Sequence, residues 1–285
     1  MKKSLLETIS IQLLREGYTI KNLNSCFDII ARKNTNILLL KIVNDANSLY
    51  KESIEEMEKI SSYVNASPII IAEKSGFILE DNVVYSRYGI NTLNSKTFFN
   101  VLIKKFPFIK SDKGGIKIEI IGNKLKEKRE QHDLSLNSLA EKLGVSARMI
   151  SKYEQEISEI SLKRALKLYE LLGDVFKSVD LFSRKEIIET HFSDISRKYH
   201  NLGFESLETT KSPFDVIARR EKEIILTNVG DKVEKDLVSF AKLIDSENLI
   251  IFERKKPKDI PSITKEEFLE FEKAQELIKF LKEFN

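Results

Sequence analysis

The stretch LSLNSLAEKLGVSARMISKYEQE, residues 134–156, decides how the middle of this chain folds. Leu136, Leu139, Ala140 and Leu143 recur at helical spacing, so they share one face of a helix. Gly144 then supplies a tight turn and Val145 a buried anchor. Ser146 stands where a side-chain oxygen can cap a second helix, whose inward face is Met149, Ile150 and Tyr153. Two short helices joined this way pack on each other and leave the outer side of the second one open.

Around this pair lie 285 residues, enough for two or three domains. Charged residues of both signs are interspersed, which gives solvated faces, not a disordered tail. The net charge of +3 is small, so any basic surface must be local. The single cysteine, Cys26, excludes an internal disulfide framework and fits a reducing cytoplasm. His132, His191 and His200 lie apart without cysteine company, so no zinc or other metal site and no cofactor is expected. The opening MKKSLLETIS has no apolar core of the signal-peptide kind. No apolar run approaches the roughly 20 residues of a membrane span, so no membrane partner is expected.

Two joints divide the chain. KSDKGG at 110–115 follows Pro107, and a weaker joint falls near 173–185. The expected domains are therefore 1–110, 116–178 and 183–285. The outer two repeat each other. Residues 25–33 read SCFDIIARK and residues 212–220 read SPFDVIARR. Helical stretches ending in Gly17-Tyr18 and Gly203-Phe204 precede them. Apolar strands follow, ILLLKIV at 37–43 and IILTNV at 224–229, then helices near 47–64 and 231–244. PIIIAE at 68–73 and NLIIFE at 248–253 close each unit. The shared order α-β-β-α-β marks an internal duplication. A hairpin followed by a βαβ crossover makes a mixed sheet flanked by helices. NVVYSRY at 82–88 adds a strand at the edge of the first copy, followed by a helix at 95–106. Its counterpart is an amphipathic helix over 264–283, with Phe268, Phe271, Leu277, Ile278 and Leu281 packing on its own sheet or on a second chain.

Residues 121–154, IGNKLKEKREQHDLSLNSLAEKLGVSARMISKYE, resemble the Cro and phage-repressor (XRE) type of helix-turn-helix over about 60 residues. The resemblance implies helices at 118–132, 136–143, 147–154 and 162–172, with the third in the major groove of double-stranded DNA. It places Ser146, Ala147, Arg148 and Lys152 against the duplex. Arg148 is the candidate base contact, because a planar guanidinium fits guanine O6 and N7; the alternative is an exposed charge on a solvated face. Lys152 reaches a base or a phosphate. Ala147 meets a thymine methyl or simply favours the helix. Ser135 holds a phosphate at the N-terminus of the second helix or caps it, or both. Arg129 and Glu154 match the family's structural ion pair. Lys124, Lys126 and Lys128 add phosphate charge or form a solvated face. Three positions depart from the pattern. Leu136 stands where many members carry a glutamine clamp. Glu156 stands where a glycine closes the reading helix. Glu156 and Glu159 then put two acids beside DNA, so one domain alone should bind weakly, and a homodimer on a palindrome should bind better.

The flanking copies resemble the PD-(D/E)xK nuclease core of restriction endonucleases and Holliday-junction resolvases. That family uses an acid on one strand, then an acid and a lysine two residues apart on the next, to hold Mg²⁺ and orient water. Asp28 and Lys41 match in the first copy, but Leu39 replaces the second acid. Glu7 or Glu16 on the first helix is the candidate substitute. Asp215 matches in the second copy, but Leu226 and Asn228 replace the others. Asp28, Lys41 and Asp215 are thus vestigial catalytic candidates in degenerate domains, and no enzyme activity is expected. The fold class is α/β plus all-α: a four- to five-helix lambda-repressor-like domain between two restriction-endonuclease-like domains. The arrangement resembles a set of archaeal transcriptional regulators. A sequence-specific DNA-binding regulator, cytoplasmic and dimeric, is the expected function. The rivals are a Mg²⁺-dependent nuclease targeted by the helix-turn-helix and an antitoxin-like interaction protein.

Overall fold

A computed structural model describes residues 2–112, 114–182, 193–231, 235–257 and 260–283. The expected domain start at 183, His191 and the beginning of the helix near 231 lie at or beyond the limits of these residues. In chain order the first copy comprises α1 (Lys2–Arg15), β1 (Thr19–Asn22), β2 (Ile29–Lys33), β3 (Asn36–Asp45), α2 (Lys51–Tyr63) and β4 (Ser67–Lys74). The middle comprises β5 (Val83–Arg87), β6 (Ile90–Leu93), α3 (Ser95–Leu102), β7 (Ile109–Asp112), β8 (Gly115–Lys117), α4 (Gly122–Gln131), α5 (Leu136–Leu143), α6 (Ala147–Glu154) and α7 (Leu162–Leu172). The second copy comprises α8 (Asp194–Asn201), β9 (Glu205–Glu208), β10 (Val216–Arg220), β11 (Glu223–Val229), α9 (Lys235–Ile244), β12 (Glu247–Phe252), β13 (Ser262–Thr264), α10 (Lys265–Glu270) and α11 (Ala274–Lys282).

Residues 1–72 and 181–285 form one compact unit and residues 73–180 another. In the first unit the two copies share one plan. The first lays out β1-β2-β3-β4 and the second β9-β10-β11-β12-β13. The hairpin β2–β3 pairs Ile29 with Leu40, and β10–β11 pairs Val216 with Thr227, so the register is the same at a constant offset in number. β11 and β12 are parallel, as a crossover through α9 requires. The first copy carries one strand more than the hydrophobic pattern announced, β1, and the second carries two, β9 and the three-residue β13. β1 and β9 are four-residue edge strands, too short and too mixed in polarity to stand out.

The two copies pack on each other with their crossover helices between them. Phe27, Ile30, Leu39, Met57 and Ile60 from the first join Phe214, Ile217, Leu226, Phe240 and Ile250 from the second in one apolar core. The polar contacts at its border are reciprocal. The Arg32 guanidinium donates to the Leu243 carbonyl at 2.9 Å, and the equivalent Arg219 donates to the Ser62 carbonyl at 3.0 Å. Glu56 of α2 accepts from the N–H groups of Thr210 and Lys211, while Asp236 of α9 pairs with Lys21 at 3.1 Å. The duplication thus forms a pseudo-dimer within one chain. On the far side of the second sheet, Val216, Ala218, Ile225, Leu249 and Ile251 pack under α8, α10 and α11.

Three local expectations are corrected. The segment 264–283 is two helices, not one. Thr264 caps α10, which stops at Glu270, and the Glu276 carboxylate takes the N–H groups of Glu272 and Lys273 to start α11. The strand at 82–88 is not an edge: β5 lies between β6 and β7 in the second unit. The helix expected over 95–106 ends at Leu102, with Lys104 in the left-handed region.

Candidate nucleic-acid interface

Four helices, α4 to α7, pack around Leu125, Leu139, Leu143, Ile150, Tyr153, Ala165 and Leu168. The helix expected from 118 begins only at Gly122, because Ile118 and Ile120 run extended into the same core and Ile120 bridges to Phe176. Phe108 stacks on Phe176 with ring centroids 4.5 Å apart, closing that end. Gly144 ends α5 at φ 69°, the left-handed cap that the turn requires.

The Ser146 hydroxyl accepts the Met149 N–H and caps α6; the Ser135 hydroxyl accepts the Ser138 N–H and caps α5. Both side chains are exposed; the Ser146 hydroxyl hydrogen remains a donor for a phosphate, while the Ser135 hydroxyl also shares a hydrogen bond with the Ser138 hydroxyl at 2.8 Å. On α6, Arg148 is exposed and makes no hydrogen bond or ion pair among the described residues, while Ala147 and Lys152 are half-buried. Of the inward residues, Ile150 and Tyr153 are buried and Met149 packs partly against the core. On α4, Lys124 is paired with Asp174 at 2.8 Å, whereas Lys126 is exposed.

Arg129 holds the pose of α6. Its Nε donates to Glu154 at 2.6 Å and its Nη1 to the Leu134 carbonyl at 2.8 Å, and both partners of the ion pair are about nine-tenths buried. The Glu154 carboxylate keeps the guanidinium pKa above its ordinary value.

The departures from the family pattern have physical explanations. Leu136 packs against the helical core instead of reaching outward. The Glu156 carboxylate is engaged within the helical domain. Its backbone takes the left-handed turn at φ 58°, and its Oε1 accepts the Gly122 N–H at 2.7 Å, satisfying a donor at the start of α4. A Cβ at Gly122 would stand 2.1 Å from the Glu154 carbonyl oxygen, so only glycine lets α4 meet the end of α6 this closely. Sequence reasoning missed this clasp, because its partners are 34 positions apart. Glu159 is exposed.

In the first nuclease-like copy Asp28 and Lys41 come together at 3.6 Å. The Asp28 Oδ2 accepts the Ile42 N–H at 2.7 Å, and Lys41 also donates to the Ser25 carbonyl at 3.1 Å. Leu39 is fully buried in the core between the copies. In the second copy Asp215 accepts the Val229 N–H at 2.7 Å and the Asn228 amide at 2.9 Å, and Leu226 is fully buried. Glu7 is exposed on α1 and Glu16 takes a hydrogen bond from Gln12. Among the described residues no three His, Cys, Asp or Glu side chains converge as a metal site would need.

Residues 2–107 match the PD-(D/E)XK superfamily domain, and residues 125–175 match a helix-turn-helix family. A relative from Methanobrevibacter smithii, named "Putative HTH-type transcriptional regulatory protein", is 35% identical over 99% of this chain and 97% of its own. The chain belongs to this archaeal family. Bearers of the same name from Archaeoglobus fulgidus, 31% identical, and Thermococcus gammatolerans, 27% identical, match at least 98% of this chain and 96% of their own lengths. The family thus extends over both nuclease-like copies and the helix-turn-helix. Among the described residues no helix is long and apolar enough to cross a membrane.

Proposed function

We propose that this chain is a transcriptional regulator that lays α6 in the major groove of duplex DNA. One observation carries the reading: α6 is anchored from behind by the buried Arg129–Glu154 pair and presents Arg148, exposed and without a partner among the described residues, on its outer side. Arg148 reads a base edge, Lys152 a base or phosphate, and Ala147 packs on the groove floor. Ser135 and Ser146 donate to the backbone, fixing register without reading sequence. The functional modules are 1–110, 116–178 and 183–285, acting in the cytoplasm. A homodimer supplies the second reading helix, with half-sites about 34 Å apart, one turn of duplex. The two nuclease-like copies use their crossover-helix faces on each other, so a second chain must dock elsewhere.

The nuclease-like copies serve as scaffold and not as enzyme. Leu39 and Leu226 occupy the second acid's place at zero exposure, where a carboxylate would be desolvated. The retained Asp28–Lys41 pair favours the rival reading, Mg²⁺-dependent cleavage lost on Asp28→Ala and Lys41→Ala. Absence of cleavage with Mg²⁺ and Mn²⁺ removes that rival. The test of the main reading is selection of bound duplexes from a random pool, repeated with Arg148→Ala. The variant should lose about 1–3 kcal/mol at the selected site and relax one base position. An equal loss on every sequence would make Arg148 a phosphate contact only.

A further inference from the structure

The internal duplication lets one copy serve as the reference for the other. The helices α1 and α8 are equivalent, each packed beside the first strand of its copy, β1 or β9. The Tyr18 N–H returns to the Leu13 carbonyl at 3.0 Å, and the Phe204 N–H to the Tyr199 carbonyl at 2.9 Å. The Gly17 N–H reaches the Leu14 carbonyl at 3.0 Å, and the Gly203 N–H the His200 carbonyl at 2.9 Å. In this register Ile9, Ser10 and Leu13 match Ile195, Ser196 and Tyr199, all buried. Ile11 and Leu14 match Arg197 and His200, all exposed. The fold therefore does not ask for apolar side chains at these two places, because the second copy has polar ones there. Yet Ile11 is 51% and Leu14 55% exposed, one turn apart on a single face. Neighbouring apolar side chains left in water, where the duplicate is polar, mark a surface that a partner covers. The charges on this face identify the partner. Glu7 stands four residues before Ile11 and Arg15 four after it, on the same side of α1. Both are exposed, and neither side chain has a hydrogen bond or ion pair among the described residues. In α8 the equivalent positions are Ser193 and Asn201, both neutral. A face acidic at one end, apolar in the middle and basic at the other complements a second copy of itself turned by a two-fold axis. The helices that the sequence offered for pairing, α10 and α11, bury Phe268, Leu277 and Leu281 on their own sheet instead.

We propose that a second molecule of this chain docks on α1, with the two helices antiparallel about a two-fold axis at Ile11. Ile11 then meets the partner's Ile11, Leu14 packs beside it, and Glu7 of each chain pairs with the partner's Arg15. The contact is one helix wide and α1 is about 21 Å long, so the dimer is weak and reversible, unlike an obligate one. The proposal deepens the homodimer of the DNA-binding reading. Its test contains no nucleic acid, so failure to pair and failure to bind duplex are read separately.

The test is sedimentation equilibrium of the full chain, in a concentration series up to about 1 mM. The wild type should pass reversibly from monomer to dimer. Ile11→Arg with Leu14→His gives α1 the residues that α8 carries, so the fold should be kept while the dissociation constant rises at least about tenfold. Glu7→Arg alone should weaken association roughly 2- to 30-fold, and Arg15→Glu added to it should restore the wild-type value. Ile11→Cys should be linked across the axis by a short bismaleimide, and Arg197→Cys should not. The native Cys26 is buried, with its thiol pKa pushed up to about 12 by burial, and stays unreactive. A chain that remains monomeric throughout, or a dimer indifferent to the double substitution, would overturn the proposal. So would an Ile11→Cys variant that does not link, or a Glu7→Arg loss that Arg15→Glu fails to restore.

Discussion

Replacing Gly122 with alanine tests whether the start of α4 sets the pose of the reading helix. The new methyl would lie 2.1 Å from the Glu154 carbonyl oxygen and 2.7 Å from its carbon, against an ordinary C···O contact of about 3.3–3.6 Å. Both sides of the clash are backbone, so no side chain can rotate away. Relief requires α4 and the end of α6 to part by about 1 Å. Overpacking of this kind costs about 1–3 kcal/mol. Parting also loses the charge-assisted bond from the Gly122 N–H to Glu156, worth about 1.5–3 kcal/mol. Alanine returns at most about 1 kcal/mol of helix propensity. The net loss is about 1.5–5 kcal/mol, local to the helical domain. Native-state hydrogen exchange at the α6 amides reads it directly, without assuming one unfolding transition for a chain of several modules. A reading helix displaced by that much should also lose its best base contact, about 1–3 kcal/mol, lowering specific affinity about 5- to 150-fold. Nonspecific binding, which depends on phosphates, should change far less. Unchanged exchange together with an unchanged ratio of specific to nonspecific affinity would refute the reasoning.

Three further outcomes follow from the same geometry. Glu156→Gly removes the acceptor but relieves the left-handed backbone of a side chain, worth about 1–2 kcal/mol, so exchange protection should fall by only about 1 kcal/mol while specificity drops; a drop in stability as large as for Gly122→Ala would contradict this. Glu154→Ala leaves the Arg129 guanidinium buried without its carboxylate and should cost about 3–5 kcal/mol by hydrogen exchange, whereas a loss under 1 kcal/mol would show that water replaces the partner. In the second copy the N–H groups of Arg254 and Glu253 hold the Asp231 carboxyl below its ordinary pKa of 3.8. A carboxyl lowered by folding stabilises above its unfolded pKa, and that contribution is lost as pH falls through the folded value. Wild type should therefore exceed Asp231→Asn in urea midpoint at neutral pH and converge with it below 3.8; a pH-independent gap would remove the carboxylate's charge from the explanation.

What the sequence discloses here follows from range. Gly144, Val145 and Ser146 make a turn and a cap within a few positions, so the helix pair could be read directly from the residues. The duplication was equally legible, since FDIIARK and FDVIARR keep one register in both hairpins. The break of the last helix was not, because Phe271–Lys273 holds neither glycine nor proline and the stop rests on side-chain caps. The Gly122–Glu156 clasp and the packing of one copy on the other depend on partners far apart in number. No periodicity encodes them, and the second acid's replacement by Leu39 looked like simple loss of chemistry until its surroundings were known.

Those surroundings connect the loss of the nuclease motif to the pairing of the copies. Leu39 and Leu226 are equivalent, both fully buried, and both belong to the core that the two copies form together. A carboxylate at either place would be desolvated in that core, which disfavours its charged form. Asp28 and the Ser25 carbonyl receive the charge of Lys41, and the second copy has the neutral Asn228 amide in its place. Asp28 and Asp215 persist for a separate reason. Each carboxylate takes a main-chain N–H at 2.7 Å, from Ile42 or Val229, and so fixes the hairpin to the strand end. The aspartates retained in both copies therefore report on backbone satisfaction, the leucines on mutual burial, and neither requires hydrolysis. Restoring an acid by Leu39→Glu should accordingly separate the copies before it assembles a metal site, with Tyr63 losing its 3.0 Å bond to the Ser206 carbonyl and exchange rising in α2 and α9 together. Mg²⁺-dependent cleavage by that variant, with both helices still protected, would show instead that the interface tolerates the charge and that the scaffold reading is wrong.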